Sequence, residues 1–184
     1  KEEYDMHEAK ILIYQNKYDK ASAILKELRN KSGLPLFIEK TTLENCIIVS
    51  IKAENYTQAY QDIETLLVNY FDAKKDVDIK EMKLEHFRAS TVISDTKRFL
   101  NIAKAFAETP HTKITRKLYW MAQRQFQENL KKEVLNDEIN SVYSNICQYF
   151  YSEASKGLLG ETEIREFLTF TEHIESKSLL NTLA

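Results

Sequence analysis

Apolar residues recur at intervals of three and four through most of this chain, the period that lays a stripe along an α-helix. Ile11, Leu12 and Tyr14 lead into Tyr18, Ala21, Ile24, Leu25 and Leu28, which the spacing predicts as one apolar stripe on a helix. The segment NKSGLP, 30–35, supplies Gly33 and Pro35 and predicts its stop. Leu43, Ile47, Ile48 and Ile51 form the next face. A polar break follows at 53–55, and Tyr56, Ala59, Ile63, Leu66 and Leu67 form another face beyond it. After Pro110 the spacing predicts helices over 112–132, 136–156 and 161–175, the last starting at Glu161 or Thr162.

Two of these stretches repeat one another. NKYDKASAILKEL, from Asn16, aligns with ENYTQAYQDIETL, from Glu54, at an offset of 38 residues. In each copy an aromatic (Tyr18, Tyr56) precedes a small residue by three (Ala21, Ala59). An aliphatic follows four later (Leu25, Ile63), then a leucine (Leu28, Leu66). That order fits a helix–turn–helix unit of tetratricopeptide type: the small residue admits a neighbouring helix and the aromatic closes the turn. A looser third copy is expected from Met82. Leu84, Phe87 and Val92/Ile93 would be its first helix, SDTKR its turn, and Phe99, Ile102, Ala103 and Phe106 its second helix.

Composition agrees with helices. The 184 residues hold 3 glycines and 2 prolines, against about 12 % Gly plus Pro in an average chain. Sandwiches, barrels and doubly wound sheets need more turns than that. The expected fold is therefore all-α, a right-handed α-solenoid of antiparallel, TPR-like helix pairs. Residues 1–110 would hold the repeats and 111–184 would continue them. Cys46 and Cys147 lie in apolar contexts and read as free, buried thiols of a reducing compartment. The net charge of −2 offers no general attraction to nucleic acid or to a membrane surface, and no apolar run reaches the roughly 18 residues of a membrane span. The charged start, KEEYDMHEAK, without an initiator Met, is expected to lie mid-protein and not to be a signal peptide.

ASAILKEL (21–28), EKTTLENCIIVSIKAENYTQA (39–59) and KLEHF…VIS…KRFLNIAKAFAET (83–109) resemble the helical-repeat region of PCI-domain scaffolding subunits, nearest to those of the proteasome regulatory lid. The resemblance spans roughly residues 5–110. It implies a non-catalytic structural subunit in a multi-protein complex, with other protein subunits as partners, in the cytoplasm or nucleus. The winged-helix module that names the PCI family has no counterpart after Pro110.

Candidate chemistry changes this picture little. Glycine-rich phosphate loops, nucleophile motifs and zinc spacings are missing, and His7, His86, His111 and His173 are scattered. Asp76/Asp78 and Asp137/Glu138 read as solvated turns and helix starts. No cofactor, metal, small-molecule substrate or enzymatic activity is expected, and nucleic acid is not the expected partner. One charge feature stands out. Lys113, Arg116, Lys117 and Arg124 share a helical face in a stretch, 109–127, that holds no Asp or Glu and has Tyr119, Trp120 and Phe126 interleaved. This face is either a docking surface for an acidic partner or a solvated side with Leu118, Met121, Ala122 and Gln125 turned inward. The second functional reading is a TPR-type peptide-binding sensor domain of a bacterial transcription regulator. It would need Asn, Arg or Gln on the concave face, whereas the first helices offer Ile11, Leu12, Tyr14, Ile47, Ile48 and Val49. The C-terminal run SLLNTLA lacks a polar cap and is expected to stack on further protein.

Overall fold

A computed structural model describes residues 1–132 and 135–183, with side chains described as far as residue 177. Among the described residues the chain is all-α, with eight helices, one 3-10 turn and no strand. The helices are α1 Glu2–Tyr14, α2 Tyr18–Arg29, α3 Leu36–Lys52, α4 Tyr56–Tyr70, α5 Ile93–Ala107, α6 Thr112–Asn129, α7 Asp137–Ser155 and α8 Glu161–Leu183. The side chains of SLLNTLA lie outside the described residues.

The stripe from Ile11 to Leu28 is carried by two helices, not one, because the chain turns at Gln15–Lys17. That turn and its copy 38 residues on share one hydrogen-bond pattern. Lys17 N–H donates to the Leu12 carbonyl at 2.8 Å and Asn16 N–H to Ile13 at 3.0 Å; Asn55 N–H donates to Ser50 at 2.8 Å and Glu54 N–H to Ile51 at 3.0 Å. Both are Schellman closures, in which one left-handed residue satisfies the last carbonyls of a helix. Asn16 and Glu54 hold that position at φ 57°. Burial repeats as well, since Ala21 and Ala59, Leu25 and Ile63, and Leu28 and Leu66 are all buried. The sequence repeat is thus the same local structure made twice.

The third copy departs from the expectation. Its first helix does not form: residues 71–92 run as a strap with only the 3-10 turn Leu84–His86. SDTKR is not a turn but the opening of α5. Two things hold the strap. Phe71, Ile79, Met82 and Phe87 are buried in the main core, and Phe71, Phe87 and Phe99 form a ring cluster with centroids 5.1–6.5 Å apart. Hydrogen bonds pin the strap's backbone. Ser90 N–H donates to Gln125 Oε1 at 2.7 Å, Ile79 N–H to Glu64 Oε1 at 3.0 Å, and Asn129 Nδ2 to the Ser90 carbonyl at 3.2 Å.

Packing follows chain order. Helix α1 packs on α2 and α3, α2 on α3, α3 on α4 and α5, α5 on α6 and α7, α6 on α7, and α7 on α8. Every close packing among the described residues joins helices one or two apart. Helices α1, α3, α5 and α7 therefore form one run of neighbours, and α5 packs on α6, with no helix begun at Met82. One core cluster extends from Leu43 on α3 to Ile174 on α8. Two small clusters, around Ala21 and around Leu28, tie the first pair to α3.

Candidate functional site

The basic face of α6 is largely engaged within the chain. Arg116 donates from Nη2 to Glu153 Oε2 on α7 at 3.3 Å, and its Nη1 lies 3.8 Å from Glu163 Oε1 on α8. Lys117 donates to the Ile79 carbonyl at 2.8 Å and the Lys80 carbonyl at 2.6 Å. Burial lowers the Lys117 pKa below the usual lysine value, against the pull of Glu81 and Asp78. Arg124 lies over the Phe87 ring, 5.5 Å from its centroid. Lys117 and Arg124 thus fasten the strap, and Arg116 joins three helices. Lys113 is exposed, at the start of the helix. Leu118, Met121, Ala122 and Gln125 all face inward and are buried.

A second set of charges, which sequence reasoning missed, lies buried between α3 and α5. Asp95 is fully buried and accepts from Lys40 Nζ at 3.0 Å and Ser90 Oγ at 2.6 Å. Arg98 donates to Glu44 Oε2 at 2.6 Å, and Asn101 Nδ2 donates to Glu44 Oε1 at 2.8 Å. Burial raises the Glu44 pKa above its ordinary value, and Arg98, Asn101 and Lys10 offset part of that. Two cations face two carboxylates here, so the set is balanced. Leaving one member unpaired would cost about 3–5 kcal/mol. Asp62 on α4, also buried, is held in the same way by Arg29 Nη1 of α2 at 2.7 Å and by Gln58 Nε2 at 3.0 Å. These bridges join α2 to α4 and α3 to α5.

An open groove of about 330 Å³ lies across α1, α3 and α5. Lys10 and Tyr14 come from α1, Asn45, Ile48 and Lys52 from α3, and Asn101, Lys104 and Glu108 from α5. The repeat offset of 38 carries Lys10 onto Ile48 and Tyr14 onto Lys52, so matching helix positions line it twice. Glu108 is bridged by Lys52, and Glu44, at the groove floor, by Arg98. Lys10 and Lys104 are exposed and form no salt bridge among the described residues. Asn45 is 3 % exposed, and its Nδ2 has no hydrogen-bond partner. Of the apolar residues expected on this face, Tyr14 and Ile48 line the groove beside its charges, Ile47 and Val49 are buried in the packing, and Ile11 is exposed.

Among the described residues, no three His, Cys, Asp or Glu side chains are grouped so as to hold a metal ion, and no helix is long and apolar enough to cross a membrane. Cys46 and Cys147 are free thiols. His7, His86 and His173 are exposed, and His111 packs tilted against the Tyr56 ring, centroids 4.1 Å apart, with its Nδ1 2.7 Å from Tyr60 Oη. No family model, curated protein or solved structure matches this chain.

Proposed function

We propose that the chain is a non-catalytic scaffold subunit of a multi-protein complex, a right-handed α-solenoid of antiparallel helix pairs of PCI type and closest to the proteasome lid. The observation that carries this reading is the packing order: each helix packs closely only on its near neighbours in the chain. Such stacking leaves long rims and open ends, which suit holding other proteins. Exposed Tyr4 and Ile11 on α1, with Leu36 and Phe37 at the start of α3, give this end apolar side chains for a neighbouring subunit to cover. Of the basic face of α6, Lys113 and the open side of Arg124 are what a partner would meet. Free thiols at Cys46 and Cys147 suit a reducing compartment, cytoplasm or nucleus.

Native mass spectrometry of material captured from the source cell, with the tagged full-length gene product as bait, tests this reading. A stable multi-subunit particle containing the chain is the expected result. Recovery as a lone monomer or homodimer overturns it.

A further inference from the structure

From the groove across α1, α3 and α5, we infer that this chain binds an extended, acidic peptide segment of another protein. This adds a binding activity to the scaffold role and does not depend on it, because the groove is complete within one chain.

Three observations converge. The groove is lined by three lysines, Lys10, Lys52 and Lys104, against two carboxylates, Glu44 and Glu108, each already bridged by a cation. Lys10 makes no salt bridge but acts through space on buried Glu44, and Lys104 forms no salt bridge among the described residues, in a chain whose net charge is −2. Three cations against two carboxylates leave this lining with an excess of positive charge, which favours an anion. The second observation is Asn45. A buried amide N–H without an acceptor costs about 1–3 kcal/mol, and Asn45 Nδ2 stands in that condition where its side chain lines the groove. A peptide carbonyl is the acceptor such a donor takes. The third is the apolar share of the lining, Ile13, Tyr14, Tyr18 and Ile48. It gives intervening side chains of a peptide something to pack on, which a bare phosphate backbone would not use. A main chain on Asn45, carboxylates on Lys10 and Lys104, and apolar side chains on Tyr14 and Ile48 describe one extended acidic segment.

The probe is a fluorescein-labelled peptide in which glutamate alternates with serine and leucine, read by fluorescence polarisation on the purified chain. Its twin carries glutamine at every glutamate. The acidic peptide is expected to bind and its twin to bind at least about tenfold more weakly. Lys10→Glu/Lys104→Glu is expected to weaken the acidic peptide by about tenfold or more. Lys74→Glu/Lys75→Glu, the same change of net charge on the exposed strap, leaves it unchanged. Asn45→Ala removes the unpartnered donor, so it is expected to weaken the acidic peptide while circular dichroism still reports a folded chain. Circular dichroism checks that each variant is folded before its binding is compared. Equal losses from the two lysine pairs would reduce the site to overall charge and overturn the inference. So would failure to bind the peptide, or tighter binding of a labelled oligouridylate that depends on Lys10 and Lys104. Particle capture reads none of these quantities, so the scaffold reading and the groove can fail separately.

Discussion

Two single positions show how local physics fixes this chain. Glu54 takes a left-handed backbone at φ 57° to close the turn after α3, a conformation that costs an L-residue with a Cβ roughly 1–2 kcal/mol. Glycine carries no such cost. Glu54→Gly is therefore expected to raise stability by about 0.5–1 kcal/mol in a urea melt, with no change in helix content. Cys46 reports on the packing between helix pairs. Burial, with Asp62 nearby, pushes its thiol up from the ordinary 9.0 to about 11. The folded value lies above the unfolded one, so this thiol's contribution to stability is whole below pH 9 and lost as pH rises from there towards 11. The thiolate is the reactive species, and at pH 8 the raised value leaves about a hundredth of the thiolate that an ordinary cysteine would hold. Iodoacetamide at pH 8 is expected to alkylate Cys46 at least about a hundredfold more slowly in the folded chain than in urea, as read by peptide mass spectrometry.

At the scale of elements, the strap 71–92 is the part whose stability hangs on few contacts. Lys117 joins it to α6 through two carbonyls, and hydrogen bonds from a charged donor are worth about 1.5–3 kcal/mol each when buried. Lys117→Met keeps the aliphatic stem and removes both. Hydrogen exchange is expected to speed up at 78–82 by the equivalent of about 1–2 kcal/mol, with α1 to α4 unaffected. The strap also marks where sequence pattern stops being informative. The starts of α6 and α8 and both ends of α7 to within a residue were legible, with Asn136 capping α7 from its side chain and Gly160 preceding Glu161. By contrast, α6 stops at Asn129, short of the expected 132, and α8 runs on past 175 to Leu183. In the strap, Leu84, Phe87 and Val92 are spaced as if on a helix, yet Phe87 is buried by docking onto Phe71 and Phe99. SDTKR looks like a turn because it is polar. Its polarity is spent on Lys40 and Glu44, 50 and more residues away, and a one-dimensional pattern does not carry such a partner. The groove was missed for the same reason, since Lys10, Asn45 and Lys104 come together only when α1, α3 and α5 stack. The repeat offset that links Tyr14 to Lys52 was the one signal available.

Over the whole molecule, packing between near neighbours means that the ends are separable from the middle. The large core begins at Leu43, and α1 and α2 meet the rest through the small clusters around Val49 and Ile38 and through the Arg29–Asp62 bridge. Removal of residues 1–29 is expected to leave a chain that melts cooperatively with α3 to α8 intact by circular dichroism, at a lower midpoint because Val49, Ile38 and Asp62 lose their cover. Collapse of the remaining helices would show instead that the first pair closes the core. The same chain-order packing sets how the structure is reached. Contacts between helices one or two apart close short loops, and proteins made of such contacts fold in microseconds to milliseconds. Each Schellman turn forms within its own helix end, so pairs can assemble before the pairs meet. The strap is the exception, because its ring contacts and its bonds to Gln125 and Lys117 wait for α5 and α6 to be in place. The strap therefore carries the long-range share of the contacts, and its docking reports whether α5 and α6 have come together.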